Sequence, residues 1–512
     1  MRERDLARDI GKTLVSAKFT NNMDGFWFLI HPDIVVNPFD FVTVINLFHT
    51  KTIGMVKELQ AVDDEHGVAA RVAVMANTGV KNKLGKMTPI GMPVGAGKDV
   101  LFATEKEVTF ALGMPEMENP VPAGVIEMTN GLRVPVSLDV SYLLGPDTAH
   151  VNAAGISGNL KSSYLFFLLQ SVYQKFVKDK LELSMIIFNT KEEDLLHIDE
   201  KMKLKKNVKK LFNLLDVNSD PFDSVSYFLP RGTDGNANSA FLPTNTSTYS
   251  YGLEDVYDRL DLLFPGEQDA NVGSILNYIY EAWPLGSARR PIKTWTDLLK
   301  FKAYPQEVVA HKSTLLNFLA QIQRFRKSPM FTDHKKKSLY LGKEIGKIKA
   351  GDVFVIDIAM ISTIEEQNFV VGDVMKSIDE LYSARQTESK KPRYVLIFID
   401  EINRFLPHSR GSSMSAVADQ VMRAIVAGRS RGTVLFSAQQ FKSAVDPALH
   451  ESTGMHVMGK LGITELSTSS YSMIDESTKM NIVRLNRGEL VMVHPAFRHP
   501  IKIAFPKAPF RG

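Results

Sequence analysis

The run Tyr394-Val395-Leu396-Ile397-Phe398-Ile399 followed by Asp400-Glu401 constrains this chain more than any other stretch. It lacks the apolar–polar alternation of a half-exposed strand, so it predicts a central parallel strand covered on both faces. Two acids end it. Adjacent carboxylates at the C-terminal end of a buried strand are costly unless they hold a metal or polarise a water. The bland alternative is a helix start capped by acids.

Other segments fit the same sheet. Residues 149–154, 183–188, 353–358 and 433–438 read as strands, and 164–176 as a buried helix. Strands alternating with helical patterns imply a doubly wound parallel sheet with right-handed crossovers. Before Gly113 the character differs. Residues 15–19, 25–30, 41–45, 52–56 and 70–75 are rich in β-branched and aromatic types and are separated by turn signals, which predicts a small β-barrel. Pro115, Pro120 and Pro122 mark the connection to the α/β part. Residues 234–251, rich in Asn, Ser and Thr, predict a loop, and 253–327 predicts a helical elaboration punctuated by Pro265, Pro284, Pro291 and Pro305. No internal repeat is evident.

Composition narrows the function classes. No apolar run approaches the roughly 18 residues of a membrane span, and the charged N-terminus has no apolar leader region, so a cytoplasmic protein without membrane contact is expected. The absence of cysteine excludes disulfides and thiolate metal sites. The 61 basic and 57 acidic residues nearly cancel, so overall charge does not announce a nucleic-acid binder, although a narrow basic channel fits within that balance. The lysine run at 201–210 reads more readily as a solvated face than as such a channel.

Three constellations carry chemistry. Gly155-Ile156-Ser157-Gly158-Asn159-Leu160-Lys161-Ser162-Ser163 stands where a strand should feed a helix and nearly spells a phosphate-binding loop. In such a loop backbone N–H groups curl around phosphate at a helix N-terminus, lysine meets the β/γ-phosphates, and a hydroxyl meets magnesium. Leu160 stands where glycine belongs, a departure expected to weaken nucleotide binding by about 1–3 kcal/mol if the torsion is strained. The plain alternative is an ordinary strand-to-helix turn. A rival Gly95-Ala96-Gly97-Lys98 lacks the following hydroxyl and precedes a strand, so a barrel turn is expected there. In the second constellation Asp400 would position magnesium, and Glu401 would orient or deprotonate an attacking water. The third is Ala427-Gly428-Arg429-Ser430-Arg431-Gly432, ahead of a strand ending Ser437-Ala438-Gln439-Gln440, where an arginine could stabilise a γ-phosphate and Gln439 could sense it. Alone, two arginines in a Gly/Ser-rich turn read as a solvated loop. The three sets occur in the order that an additional-strand P-loop ATPase needs.

At this point the chain resembles the HerA family of DNA translocases and helicases, relatives of the FtsK-type pumps, in its bacterial form. The resemblance rests on Gly11-Lys12-Thr13-Leu14-Val15-Ser16 and Pro38-Phe39-Asp40-Phe41-Val42-Thr43-Val44 in the barrel, and on Phe188-Asn189-Thr190-Lys191-Glu192-Glu193-Asp194-Leu195-Leu196, with Glu192 where glycine is common. It continues through Asp400-Glu401-Ile402-Asn403-Arg404-Phe405-Leu406-Pro407, the arginine segment with Gln439, and Leu485-Asn486-Arg487-Gly488-Glu489-Leu490. It implies a RecA-like P-loop core divided into 116–200 and 341–512, with an N-terminal barrel over 1–115 and a helical insertion over 201–340. It further implies a ring, commonly a hexamer, that moves double-stranded DNA with ATP and Mg2+. Lys161, Ser162, Asp400 and Glu401 would act from one subunit, and Arg429 or Arg431 would complete the neighbour's site. An effector such as a NurA-type nuclease or a sirtuin-like subunit would dock on the barrel, in DNA end processing or antiviral defence. The alternative is an ATP-binding ring scaffold that assembles and regulates an effector with little translocation.

Overall fold

Six antiparallel strands close the N-terminal barrel: β1 (Asp9–Leu14), β2 (Gly25–Ile30), β3 (Phe41–Ile45), β4 (Lys51–Ala61), β5 (Val68–Asn77) and β6 (Asp99–Phe102), in the order β1-β2-β5-β4-β3-β6. Closure removes the exposed strand edges that an open sheet of this size would carry. Residues 15–19 do not form the expected strand. Ser16 Oγ and its N–H engage the backbone of Phe19 instead, a local turn that outcompetes β propensity, and the first strand lies one step earlier. The rival Gly95–Lys98 segment is a barrel turn, held by Thr13 Oγ1, which donates to the Gly95 carbonyl and accepts from the Lys98 N–H. The computed structural model describes residues 9–62, 67–145, 148–156, 158, 161–180, 182–264, 270–287, 290–309, 311–334, 338–383, 393–408 and 415–510, with backbone alone at 270, 271, 383, 427, 429 and 430.

Helix α1 (Glu105–Ala111), opened by a Thr104/Glu107 capping box, leads from the barrel into a 12-stranded sheet. Its strands in chain order are β7 (Pro120–Glu127), β8 (Arg133–Asp139), β9 (Val151–Ala154), β10 (Leu183–Asn189), β11 (Val225–Pro230), β12 (Thr246–Tyr249), β13 (Val353–Asp357), β14 (Tyr394–Asp400), β15 (Thr433–Gln439), β16 (Met455–Met458), β17 (Glu489–Val493) and β18 (Ile501–Ala504). In space they run β8-β7-β18-β17-β16-β9-β15-β14-β10-β13-β11-β12. The pairs from β16 to β12 are parallel, and those from β16 through β8 are antiparallel. Within the parallel part β16-β9-β15-β14-β10 reads fifth, first, fourth, third, second, so β15 is an additional strand between the glycine-loop strand and the acid strand. The main helices are α2 (Lys161–Lys178), α3 (Lys206–Leu214), α4 (Ala270–Glu281), α5 (Lys312–Arg326), α6 (Ile364–Ser383), α7 (Ala416–Arg431) and α8 (Glu476–Val483).

The predicted central strand is buried on both faces, and its side chains divide by parity. Leu396 and Phe398 of β14 join a core with α2, the barrel and the C-terminal strands, while Val395, Ile397 and Ile399 join a second core beneath α6, α7 and the 253–327 helices. Residues 234–251 are not wholly a loop, since β12 pairs with β11 at the sheet edge. The lysines at 201, 203, 205, 206, 209 and 210 are all exposed on and before α3. Among the described residues no helix is long and apolar enough to cross a membrane.

The barrel and the sheet share one continuous apolar core. A buried lysine reinforces the seam: Lys57 Nζ of β4 donates to Asp475 Oδ2 at 2.9 Å and to Thr478 Oγ1 at 2.6 Å at the start of α8. His494, just past β17, is 2% exposed. Its Nδ1 accepts the Ala496 N–H, which places the ring proton on Nε2, and Nε2 has no partner among the described residues. Charging the ring would require a proton on the occupied Nδ1. Burial accordingly lowers its pKa to about 4. The unfolded chain binds this proton near pH 6.5 and the folded chain only near 4, so stability falls as pH drops across that window. His494→Asn is expected to reduce the loss between pH 7 and pH 5 by about 2 kcal/mol, read from urea midpoints.

Candidate active site

Four parallel strands deliver their C-terminal ends to one edge of the sheet: β9 into Gly155, β10 into Asn189, β14 into Asp400-Glu401 and β15 into Gln439. Ligands of open α/β sheets bind at this edge. Gly155 packs on Gly459, where a Cβ would come 3.3 Å from the Gly459 Cα, and Ile156 N–H donates to the Lys460 carbonyl. Gly158 has φ +82° with open space around it, a torsion that favours glycine. Both glycines therefore serve the loop's path, one by close approach and one by handedness. Ser157, Asn159 and Leu160 lie outside the described residues, so the structure carries no account of Leu160.

Helix α2 begins at Lys161. The Lys161 side chain is buried, and this desolvation lowers its pKa, with Asp400 and Glu401 pulling the other way. Ser162 Oγ donates to Asp400 Oδ2 at 3.0 Å, and Ser163 follows, half-buried, on the same turn. Asp400 Oδ1 accepts the Glu401 N–H at 2.9 Å. Glu401 itself has φ +55° and ψ +47°, a left-handed conformation uncommon for a residue with a side chain. It is 7% exposed, and its carboxylate is carried beside that of Asp400.

Lys191 has no assignment from the sequence, yet its Nζ lies 3.0 Å from Asp400 Oδ2 and 3.1 Å from Glu401 Oε1. Burial disfavours its ammonium, but the two carboxylates outweigh that and raise its pKa. It projects from the loop after β10. Buried Asn189 fastens that loop, its Nδ2 donating to the Glu192 carbonyl at 2.7 Å and to Asp357 Oδ1 at 2.8 Å, while its Oδ1 accepts the Leu195 N–H. The available signals were its place in the 188–196 segment that carries the resemblance and its position two residues past the strand that neighbours the acid strand.

The remaining sequence candidates are placed differently. Gln439 is fully buried and forms a reciprocal amide pair with Asn152 of β9, at 2.7 and 2.9 Å. Its carboxamide is thus engaged between two strands. Arg431 ends α7 and pairs with Asp379 of α6. It precedes β15, whose Thr433 lies opposite Val395 while Ala438 lies opposite Asp400. Arg431 is therefore at the other end of the strands, about 20 Å from Asp400 at the rise of a β-strand. Arg429 lies on the same helix end, with its side chain outside the described residues.

Ser162 Oγ and Asp400 Oδ2 are hard oxygen donors close enough to share an ion of the Mg2+ class. Among the described residues no group of three or more His, Cys, Asp or Glu is placed to hold a metal. Such an ion would therefore complete its shell with phosphate or water.

No protein-family model and no curated protein matches the sequence. Solved structures do. VirB4 of Thermoanaerobacter pseudethanolicus is 13% identical with a TM-score of 0.45, over 77% of this chain and 97% of its own. A bacterial conjugative coupling protein, TrwB, is 13% identical with a TM-score of 0.44, over 79% and 93%. The genome packaging NTPase B204 of Sulfolobus turreted icosahedral virus 2, solved with ATP-gammaS, is 8% identical with a TM-score of 0.30, over 70% and 99%. At such identities and scores none of them assigns an activity to this chain; the strand order and the side chains at the sheet edge do the constraining.

The Asn189 staple is open to a direct check. Asn189→Ala would remove one of the three donors on the buried Asp357 carboxyl and the side-chain partner of the Glu192 carbonyl and the Leu195 N–H, and is expected to cost about 2–3 kcal/mol in urea denaturation; an unchanged midpoint would show the staple to be dispensable.

Proposed function

We propose that the chain is an ATPase that couples hydrolysis to movement on double-stranded DNA, working as a ring, most simply a hexamer. The observation that carries the hydrolytic reading is the convergence of the Gly155–Ser162 loop, the Ser162–Asp400 hydrogen bond and Glu401 at one sheet edge, in an order with one additional strand. Each residue then has a defined task. The loop and the start of α2 offer backbone N–H groups to the phosphates, and the Lys161 ammonium, poorly solvated, is placed to seek negative charge. Ser162 and Asp400 would hold Mg2+, which when bound screens the phosphate charge. Glu401 orients the attacking water and takes its proton.

The placement of the arginines supports the ring. Arg431, about 20 Å from Asp400 along the strand, cannot serve the site of its own subunit. Arg429 or Arg431 would reach a neighbour's nucleotide instead, as an arginine supplied in trans. In this reading residues 1–115 form the barrel, 116–200 and 341–512 the motor core, and 201–340 an insertion that also lends β11 and β12 to the sheet. The chain works in the cytoplasm, and an effector such as a NurA-type nuclease or a sirtuin-like subunit docks on the barrel, in end processing or antiviral defence. The family resemblance supports these last steps.

DNA-stimulated ATP hydrolysis by the purified protein is the test. Glu401→Gln is expected to lower kcat at least about 100-fold while nucleotide still binds. Lys161→Ala is expected to lose binding as well. Absence of hydrolysis by the wild-type assembly with DNA and its effector present would sink the motor reading.

A further inference from the structure

Lys191 places a monovalent cation where the proposed site needs a divalent one. Its ammonium and the Ser162 hydroxyl converge on the same atom, Asp400 Oδ2, both at 3.0 Å, and the ammonium also bridges to Glu401 Oε1. The carboxylates are nearly covered while the Lys191 side chain is 40% exposed, so the flexible stem has an open route to solvent that the acids do not. The loop beneath it is pinned: Asn189 ties it to Asp357, which Ser239 Oγ holds at 2.5 Å and whose carbonyl accepts from Tyr249 Oη. What can move is therefore the side chain rather than the loop.

We propose that Lys191 is a positioning residue that holds Asp400 and Glu401 together in the nucleotide-free chain and competes with the divalent cation for Asp400. Entry of the metal with nucleotide displaces the ammonium, which frees Glu401 for water. This rests on the nucleotide-site reading above, and it adds an ordering. The metal binds weakly until nucleotide phosphate arrives to share its shell, because an ammonium already sits on its protein ligand. Lys161 at the start of α2 and Lys191 in the loop after β10 flank the two carboxylates while the site waits.

The measurement is Mn2+ binding to the full-length protein without nucleotide, followed by the loss of the free-ion EPR signal. Lys191→Met is expected to bind Mn2+ at least ten-fold more tightly than wild type, and Lys191→Arg to remain within about three-fold of wild type, since it retains the charge. Adding Asp400→Asn to Lys191→Met should abolish the gain, which assigns the ion to this site. Equal Mn2+ affinity in wild type and a folded Lys191→Met, checked by its thermal midpoint, would overturn the proposal. So would a gain that survives Asp400→Asn. Nucleotide binding by wild type and Lys161→Ala, measured separately with a fluorescent ADP, reads the underlying site: if it fails there while the Mn2+ effect stands, the nucleotide reading is wrong and the Lys191 competition is not.

Discussion

Two carboxylates side by side at the end of a strand buried on both faces are the constraint around which this molecule is arranged. An uncompensated buried charge costs several kcal/mol, and two of like sign cost more. Three contacts from different parts of the chain meet that cost: the Ser162 hydroxyl from the start of α2, the Lys191 ammonium from the loop after β10, and the Glu401 N–H folded back onto Asp400. Glu401 also holds a left-handed torsion, a strain of order 1–3 kcal/mol that the surrounding packing sustains. Strain and charge are thereby concentrated at one point, as expected of a site prepared for a ligand that supplies positive charge.

The strand order explains why these contacts are possible. The additional strand β15 separates β9 from β14, so the glycine loop and the acids begin about 10 Å apart at ordinary strand spacing. The first turn of α2 crosses that gap, and the Ser162–Asp400 bond closes it. β10 flanks β14 on its other side, which brings Lys191 in from the opposite direction. Beside the loop, Gly459 after β16 backs Gly155, and β16 leads by antiparallel pairing into the strands whose core is continuous with the barrel. The strands beside the loop and the barrel thus share one packed core, to which the Lys57 contact with α8 adds a polar tie.

Much of the fold was legible because buried parallel strands write themselves as short apolar runs, and residues 183–188, 353–357, 394–399 and 433–438 all lie in strands of one sheet. What local pattern could not reveal was set by distant partners or by polar side chains. Thr246–Tyr249 is a half-exposed edge strand, so its Thr-Ser-Thr-Tyr sequence carries no apolar run. Residues 15–19 have strand-forming types but are turned by a single serine. At the site, Ser162 and Asp400 lie within hydrogen-bond distance of each other, while Lys191, although it stands in the 188–196 segment of the resemblance, drew no role because its partners are 209 and 210 positions away. The Gln439–Asn152 pair is similarly non-local: a residue that reads as a sensor by position is occupied by an amide on the adjacent strand.

The central claim is that the sheet edge at Gly155, Lys161, Ser162 and Asp400 holds a nucleotide's phosphates and its metal. The most direct measurement is a structure of the assembled protein with a non-hydrolysable ATP analogue and Mg2+. The expected result is phosphate within the 155–162 loop against Lys161, with the ion between Ser162 and Asp400. Nucleotide bound elsewhere, or an ion that touches neither side chain, would contradict it.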